Sequence, residues 1–508
     1  MLRRVGITPA ASLRIVMTNS DSLSTLARII AQGRGVLSLG KRETGIKAAL
    51  ENLFEDRYHA RHKPKDGFRD AYGLANDDGV AWAGVIAEEN PPSGAYGGAS
   101  IAWFPQEGGS LITFVVGTRG LAPDEGLLTR HGHQRRTSAL RRHLSELGVA
   151  SWSKPDPAAI NVDVPEAARR LFPACAAVFK RYGSVIYCAA WVGSDMDPVT
   201  ARAVVQAFFD LYAFERNWEV FAARRAEVEA FLIPLRNAVF PLVTANTVND
   251  LLRERRFVVL QGPPGTGKTR MAESVRRDLF GGRGRTVQFH PAVTYEDFIV
   301  GLSPDPTKEG LRFAPRAGWL LDAANDAATA PFVLIIDEIN RGDLGKVLGE
   351  AIYLFEPREV GKNGREVHLT HEINGKTTFR LPDDLYVLAT MNTADRSIAS
   401  LDLAVRRRFA FVTLMPDRSV VANQGQAKAV DFFDRLSDVF IEHASDEMLD
   451  LLPGHSYYLA QDEREFKNRM RYDLLPLLDE YLRQGLLGAM ASELHSVRDE
   501  IDDYANRA

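Results

Sequence analysis

The run GPPGTGKT at residues 262–269 constrains the fold of this chain more than any other stretch. It follows the apolar run FVVLQ (257–261) and opens a helical pattern, TRMAESVRRDLF, that stops at a Gly-Gly pair. Strand, glycine-rich turn and helix in this order form the context of a phosphate-binding P-loop, because the glycines let successive backbone N–H groups point at one anion beside the helix N-terminus. The sequence therefore predicts a nucleoside-triphosphate site on an α/β fold.

The residues of this loop have distinct predicted roles. Lys268 is expected to reach the β- and γ-phosphates, and the Thr269 hydroxyl is expected to bind Mg²⁺. The alternative, a glycine-rich loop with an incidental lysine, does not explain the flanking strand and helix. No residue in the sequence decides between ATP and GTP as the substrate. The predicted nucleotide-binding residues are Gly262, Pro263, Pro264, Gly265, Thr266, Gly267, Lys268 and Thr269.

Short apolar runs alternate with helical stretches from residue 257 onward. The runs are rich in β-branched and aromatic residues and are nearly continuous in apolar character, which is typical of strands buried on both faces of a parallel sheet. The sequence thus predicts an α/β fold with one parallel sheet and helices on both of its faces. The predicted strands are residues 257–261, 286–290, 332–338, 385–390 and 409–414.

Two adjacent carboxylates end the predicted strand FVLIIDE (332–338). Asp337 is expected to hold Mg²⁺ through a water, and Glu338 is expected to orient or deprotonate the attacking water. The two residues could instead be ordinary acids at the end of a strand. Their place downstream of a P-loop in an α/β pattern favours the metal and water roles.

Polar side chains also follow the next predicted strand, in the run MNTADRS (391–397). In a parallel sheet the working groups lie at the carboxyl ends of the strands. Asn392 is therefore expected beside Glu338, where it could donate a hydrogen bond to the attacking water or the γ-phosphate. An asparagine at the end of a strand is otherwise a common turn former.

Three consecutive arginines lie in LDLAVRRRFAF (401–411), just before a strand. One of Arg406, Arg407 and Arg408 is expected to be an arginine finger that acts on the γ-phosphate held by a neighbouring subunit, although one of the three could be a structural ion pair. The sequence does not say which arginine reaches the neighbour. A finger acting in trans implies a homo-oligomeric ring.

These features occur in an order that resembles an AAA+ ATPase module with a C-terminal helical lid. Five segments are similar to those of the McrB family, the motor subunits of modified-cytosine restriction systems. The resemblance spans residues 240–490, about half of the chain. The segments are QFHPAVTYEDFIVGLSPD, DEINRGDLGKVLGEAIYLFEPRE, MNTADRS, LDLAVRRRFAF and PGHSYYL (453–459).

The resemblance implies roles for individual residues. Asn392 corresponds to the sensor asparagine of the family, and Asp395 and Arg396 correspond to its signature loop near the catalytic water and the subunit interface. His455 and Ser456 match the lid motif of the family.

The resemblance also implies an assembly. McrB proteins form hexameric rings, hydrolyse GTP in the best-known case, and bind an McrC-type nuclease subunit. This chain carries no recognisable nuclease motif of its own, so a separate nuclease subunit is expected.

Two other functions fit parts of the pattern. A MoxR-like chaperone that remodels proteins would share the strand order and the hairpin predicted at 358–384, but MNTADRS and GHSYYL favour the McrB type. A scaffold that only binds nucleotide would not need the predicted catalytic groups Lys268, Thr269, Asp337, Glu338 and Asn392.

The sequence suggests three domains. Residues 1–235 are expected to form an α+β domain of uncertain role, with a hairpin or meander at 98–120 and one long helix at 198–232. Residues 236–416 would form the AAA+ core, which includes a hairpin before the sensor strand at 358–384. Residues 417–508 have helical apolar spacing and would form the lid.

Composition limits the partners and the compartment. The net charge of −4 does not itself predict nucleic-acid binding, so any DNA contact needs a local basic surface. Residues 130–144 and 57–65 are rich in basic side chains that could contact DNA, and Tyr58 could stack on a nucleobase. A solvated basic helix face explains both segments equally well. His131 and His133 lack further metal ligands nearby.

The N-terminus lacks an uninterrupted apolar segment and no run is long enough to span a bilayer, so a cytoplasmic protein that does not contact membranes is expected. Cys175 and Cys188 are expected to be reduced core thiols.

Overall fold

The computed structural model describes residues 45–71, 80–91, 94–106, 108–304, 312–395, 401, 403–424, 426–486 and 488–507. The chain divides into two compact units, Met1–Val239 and Phe240–Ala508. The predicted boundary at 235/236 falls within the last helix of the first unit. Within the described ranges, no helix has both the length and the apolar character needed to cross a membrane.

An antiparallel sheet forms the centre of the first unit. The strands lie in the order β1-β2-β3-β4-β6-β5. Strands β3 and β4 form the hairpin that the sequence predicts at 98–120, and side chains from both of their faces are buried, so a core lies on each side of the sheet. The strands are β1 Phe68–Ala71, β2 Trp82–Val85, β3 Ala99–Gln106, β4 Gly109–Val116, β5 Ser151–Ser153 and β6 Ile186–Gly193.

Helices cover both faces of this sheet. Side chains of α1, α3 and α6 pack on one face, and side chains of α4 and α5 pack on the other. The described part of this unit is therefore α+β, as predicted. The helices are α1 Gly45–Arg57, α2 Glu125–Leu128, α3 His131–Glu146, α4 Glu166–Arg169, α5 Ala176–Tyr182, α6 Pro198–Glu215 and α7 Arg225–Val239.

The prediction of one long helix at 198–232 is wrong, because a turn separates α6 from α7. Asn217 in this turn has a left-handed backbone with φ of 54°. The turn places Trp218 against the rings of Phe54 and Tyr58, with centroid distances of 5.2 and 5.7 Å. Packing of this partly buried aromatic ring against the core favours the break over continued helix.

The basic segment at 57–65 does not present Tyr58 to solvent. Arg57 and Tyr58 are each 1% exposed. Arg57 Nη2 lies 2.6 Å from Asp210 Oδ2, and the Tyr58 hydroxyl donates to Asp210 Oδ1 at 2.5 Å. Stacking of Tyr58 on a nucleic-acid base is therefore ruled out in this fold, and Arg57 compensates a buried carboxylate.

The basic segment at 130–144 forms most of α3, and part of it also faces inward. Arg136 Nε donates to Glu215 Oε1 at 2.7 Å, and His133 Nδ1 lies 3.0 Å from the same oxygen. Burial alone would raise the pKa of Glu215, but His133 and Arg136 outweigh it and hold that pKa below its usual range. The predicted solvated basic face is thus partly an internal ion-pair network.

The two cysteines are buried and unlinked, as predicted. Burial raises the pKa of each thiol to about 12. Such thiols are poor nucleophiles and act as small apolar core residues.

A parallel sheet forms the centre of the second unit. Its strands lie in the order β15-β7-β14-β11-β8, and every pairing within it is parallel. Alternate side chains of β7 enter two separate cores, which explains the continuous apolar runs in the sequence. The five strands are β7 Phe257–Gly262, β8 Gly284–Gln288, β11 Phe332–Asp337, β14 Leu385–Asn392 and β15 Ala410–Thr413.

Two antiparallel hairpins are inserted in this unit, β9–β10 (Val300–Pro304 and Phe313–Ala317) and β12–β13 (Val367–Ile373 and Lys376–Phe379). The second lies inside the predicted range 358–384 and turns at Asn374-Gly375, where both φ angles are positive. The sequence does not predict the first hairpin, because prolines in both of its strands obscure a strand pattern.

The helices of the second unit flank the sheet and form the C-terminal segment. Among the described residues after Pro416, α14 to α18 pack around their own core, as expected for a helical lid. A π-helical turn, Met470–Leu474, joins α16 to α17. The helices are α8 Ala245–Arg255, α9 Lys268–Leu279, α10 Tyr295–Phe298, α11 Trp319–Ala327, α12 Leu344–Leu348, α13 Leu403–Arg406, α14 Arg418–Gln424, α15 Ala427–His443, α16 Glu463–Arg469, α17 Leu475–Arg483 and α18 Ala491–Asn506.

Candidate nucleotide-hydrolysis site

The candidate site lies at the carboxyl ends of four neighbouring parallel strands, β7, β14, β11 and β8. Each strand ends in or directly before polar residues, and parallel pairing brings these ends to one edge of the sheet. The P-loop follows β7 and leads into α9. The predicted groups therefore arise from different segments of the sequence but share one edge.

The P-loop has the backbone conformation that its glycines permit. Gly262, Gly265 and Gly267 have φ of 146°, 77° and 78°, in the region that other residues rarely adopt. A Cβ added to Gly262 would lie 2.2 Å from the carbonyl oxygen of Leu414. The Thr266 hydroxyl donates to the Pro263 carbonyl at 3.0 Å and braces the loop. A side chain at Gly262 would collide with the backbone at Leu414, so the start of the loop requires glycine.

Lys268 folds back onto this loop. Its Nζ donates to the carbonyl oxygens of Gly262 and Pro263 at 2.9 and 2.6 Å. Burial lowers the pKa of Lys268 to about 8, although Asp337 and Glu338 act in the opposite direction. A triphosphate is a stronger partner for the ammonium group than two carbonyl oxygens, so Lys268 is placed to bind an anion in this loop.

Thr269 and Asp337 come together across the gap between α9 and β11. The Thr269 hydroxyl donates to Asp337 Oδ1 at 2.9 Å. A hydroxyl and a carboxylate are hard oxygen donors of the type that Mg²⁺ prefers, and both lie beside the phosphate cradle. This donor set fits the predicted metal.

Glu338 follows Asp337 in a sharp turn. Its backbone is left-handed, with φ of 54° and ψ of 48°, a conformation that costs about 1–3 kcal/mol for a residue other than glycine. Its Oε2 lies 2.6 Å from Arg341 Nε and 3.5 Å from Gln288 Nε2. In this structure, the predicted base is thus held by an arginine.

Asn392 forms both the end of β14 and a turn. Its Oδ1 accepts the backbone N–H of Ala394 at 3.1 Å, which is the turn-forming behaviour that the sequence left open. Asn340 Nδ2 donates to the Asn392 carbonyl at 3.3 Å. The buried oxygen atoms Asn340 Oδ1 and Thr393 Oγ1 have no hydrogen-bond partner among the described residues. Buried polar atoms without partners near the cradle are consistent with a ligand or water at this edge.

The signature loop is described only as far as Asp395. Asp395 Oδ2 lies 3.9 Å from Arg341 Nη2, so the turn after β11 and the turn after β14 approach each other. Arg396 lies outside the described residues.

The three candidate arginines are not equivalent. Arg406 and Arg407 are exposed, and the Arg406 guanidinium lies over the Phe411 ring at 5.4 Å. Arg408 is 2% exposed, donates to the Ala404 carbonyl at 2.7 Å, and lies 3.4 Å from Glu356. The structure therefore distinguishes the three arginines: the Arg408 side chain is a buried structural group, and Arg406 and Arg407 are the exposed ones.

The lid motif contacts the P-loop directly. The backbone N–H of Gly454 donates to the Pro264 carbonyl at 2.9 Å, and that of Ser456 donates to the Gly265 carbonyl at 3.0 Å. His455 Nδ1 accepts the backbone N–H of Asp417 at 3.2 Å, and burial lowers the pKa of His455. The lid and the phosphate loop are thus joined by main-chain hydrogen bonds.

Sequence reasoning missed four polar residues of this edge. Asn340 and Arg341 directly follow the acidic strand end, in the run DEINR (337–341). Gln288 ends β8 and pairs with Asp337 of β11. Thr390 is the last residue of LYVLAT (385–390), the run that predicts the strand. Its polarity at the end of an otherwise apolar strand is a signal that could have identified it.

Comparison with known proteins agrees with this geometry. The family described as AAA domain (dynein-related subfamily) matches residues 257–409. The chain is 30% identical over 349 residues to the Type IV methyl-directed restriction enzyme EcoKMcrB subunit of Escherichia coli (strain K12), a match that covers 63% of this chain and 75% of the relative. It is 28% identical over 190 residues to the Type II restriction enzyme BsuMI component YdiS of Bacillus subtilis (strain 168), covering 30% of this chain and 55% of that relative. The chain belongs to the McrB family of AAA+ nucleoside triphosphatases.

Proposed function

We propose that the protein is a Mg²⁺-dependent nucleoside-triphosphate hydrolase that forms a hexameric ring. In this proposal, the ring drives an McrBC-like DNA restriction system together with a separate nuclease subunit. The observation that carries the proposal is the meeting of Lys268, Thr269, Asp337 and Glu338 at one sheet edge, beside a glycine cradle. Both relatives named above are restriction-enzyme subunits or components, which favours this system over a MoxR-like remodelling machine.

The chemistry follows from the side chains. Lys268 would exchange its two carbonyl partners for the β- and γ-phosphate oxygens. Glu338 would take a proton from a water, the resulting hydroxide would attack the γ-phosphorus, and the bond to the β-phosphate oxygen would break. The products are the nucleoside diphosphate and inorganic phosphate. Asn392 would orient the water, and Asp395 would support that loop.

Thr269 and Asp337 would hold the metal. When bound, Mg²⁺ neutralises charge on the phosphate oxygens and aligns them for in-line attack. The protein's own contribution is to keep these two oxygen donors adjacent before substrate arrives.

Glu338 must leave Arg341 before it can act as a base. The ion pair at 2.6 Å keeps the carboxylate occupied. A neighbouring subunit that brings Arg406 or Arg407 to the γ-phosphate would complete the charge stabilisation of the transition state. This arrangement would tie hydrolysis to assembly.

The N-terminal unit is proposed to read the target DNA. The inward-facing Arg57, Tyr58, His133 and Arg136 are not available for this role. A DNA contact in this unit therefore has to use other surface residues.

The test is phosphate release by the purified protein with ATP and GTP in parallel, with and without duplex DNA. Glu338→Gln should bind triphosphate but lose at least about 100-fold in turnover, since it removes the general base. Glu493→Gln makes the same chemical change at an exposed position of α18 and should leave turnover unchanged.

Retention of full turnover by Glu338→Gln would contradict the assignment of the base. GTP-selective hydrolysis would support the restriction motor. ATP-selective hydrolysis that is indifferent to DNA would shift the assignment toward protein remodelling.

A further inference from the structure

Thr390 touches both acidic residues of the site. It lies on β14, two residues before Asn392, and is 2% exposed. Its hydroxyl donates to Asp337 Oδ1 at 2.5 Å and accepts the backbone N–H of Glu338 at 3.1 Å. One buried side chain of the sensor strand is therefore bonded to the side chain of one acid and to the main chain of the other.

The two hydrogen bonds of Thr390 lie just beyond the last paired residues of β11 and β14. The pairing between β11 and β14 runs as far as Ile336 and Ala389. Beyond that point the N–H of Glu338 bonds to the Thr390 hydroxyl, and Glu338 takes its left-handed conformation. Such a conformation persists only where the surroundings hold it. The Thr390 hydroxyl is one of the groups that hold it.

The same hydroxyl also acts on the proposed metal ligands. Asp337 Oδ1 accepts from Thr390 at 2.5 Å and from Thr269 at 2.9 Å. The two hydroxyls fix the rotation of the carboxylate from opposite elements, β14 and α9. Loss of either donor would leave only one hydroxyl to hold the carboxylate in this rotation.

We propose that Thr390 is a positioning residue for triphosphate hydrolysis, whose hydroxyl sets the Asp337 carboxylate beside Thr269 and fixes the turn that presents Glu338. The inference rests on the proposed function of this site. Thr390 makes no contact with substrate in the proposal and acts only through the two acids.

A threonine that only supports folding has a different set of partners. Thr113 in the first unit is also buried, and its hydroxyl donates to a backbone carbonyl, that of Ala102, at 2.8 Å. Thr390 instead bonds the two groups on which the proposed chemistry depends. Thr113→Val is therefore the matched control, because it deletes a buried hydroxyl from a threonine on a strand of the other unit.

The experiment compares Thr390→Val with Thr390→Ser in the full-length protein. Valine keeps the shape and removes both hydrogen bonds, whereas serine keeps the hydroxyl. Thr390→Val should lower kcat about 10- to 100-fold, while the affinity for a non-hydrolysable triphosphate measured without metal changes less than about threefold. Thr390→Ser should stay within about threefold of wild type.

A second readout does not depend on turnover. Mn²⁺ binding in the presence of the non-hydrolysable triphosphate can be followed by electron paramagnetic resonance. Thr390→Val should weaken Mn²⁺ binding about tenfold, because the Asp337 carboxylate loses its orientation. Thr113→Val should change neither Mn²⁺ affinity nor kcat, even if it lowers the melting temperature.

The outcomes separate this inference from the proposed function. If Glu338→Gln is inactive while Thr390→Val matches wild type in kcat and Mn²⁺ affinity, the inference is overturned and the proposed function stands. If Thr390→Ser is as slow as Thr390→Val, the hydroxyl is not the active feature and the inference is also overturned. Full turnover in Glu338→Gln counts against the proposed function itself. Should Thr390→Val fail to fold, Thr390→Ala against Thr390→Ser gives the same comparison.

Discussion

At the residue scale, Lys268 links the site to pH. Burial lowers its pKa to about 8, so about half of the Lys268 side chains are neutral at pH 8. A bound triphosphate favours the ammonium form and raises this pKa. Binding at pH 8 should therefore take up about half a proton, and affinity should be full below pH 8 and fall as pH rises above it. Titration calorimetry in two buffers with different ionisation enthalpies measures this uptake.

Lys268→Arg is the control for this linkage. The guanidinium stays charged over the whole range, so the variant should lose the proton uptake whatever its affinity. Identical binding enthalpies of the wild type in both buffers at pH 8 would show that Lys268 is already charged and that the prediction is wrong.

Residue-scale predictability from the sequence depended on whether a partner lay close in the chain. Lys268, Thr269 and Asp337 were recognisable because the glycine run and the acidic strand end are local patterns. The inward orientation of Tyr58 and Arg136 was not predictable, since their partners Asp210 and Glu215 lie far away in the sequence. The role of Thr390 was not predictable for the same reason, because Asp337 and Glu338 meet it only when β11 and β14 pair. Arg341 lies only three residues after its partner Glu338, but no local pattern marks this arginine as different from an exposed one.

At the scale of elements, the contact between the lid motif and the P-loop can be tested at one glycine. A Cβ added to Gly454 would lie 2.0 Å from the carbonyl carbon of Gly265. Gly454→Ala should push the motif away and break its two main-chain hydrogen bonds to the loop. Two bonds at about 1 kcal/mol each correspond to a loss of up to roughly 30-fold in triphosphate affinity, measured by fluorescence titration.

Gly126→Ala is the matched control for this change. An added Cβ at Gly126 meets nothing within 4 Å, and the residue lies in the short helix α2 of the other unit. Its affinity for triphosphate should equal that of the wild type. Wild-type affinity in Gly454→Ala as well would mean that docking of the lid motif does not support the phosphate loop.

Elements themselves were predictable where one physical rule dominated. Strands of the parallel sheet were found because burial on both faces makes their sequence continuously apolar, and α9 was found because Gly281 and Gly282 take positive φ at its end. The prediction of one helix at 198–232 failed because helical spacing does not reveal that Trp218 packs into an aromatic cluster. The β9–β10 hairpin was not predictable because prolines, which disfavour strands, lie in both of its strands.

At the scale of the whole molecule, the exposed pair Arg406 and Arg407 raises the question of whether one chain completes the site of another. Arg408 is excluded by its burial, so the double variant Arg406→Ala plus Arg407→Ala removes the available candidates. If the finger acts in trans, this double variant and Glu338→Gln should each be inactive alone. The double arginine variant keeps the base Glu338 but lacks the arginine finger. Glu338→Gln keeps the arginine finger but lacks the base.

Mixing the two inactive proteins in equal amounts should then restore phosphate release. In a randomly mixed ring, about a quarter of the interfaces join an intact Glu338 with an intact arginine pair, so roughly a quarter of the wild-type rate is expected. A mixture of Glu338→Gln with Lys268→Ala is the control, because both changes lie in the same half of the site and no interface regains a complete set. Absence of recovery in the first mixture, with subunit exchange verified by cross-linking, would show that the arginines act within their own chain or not at all.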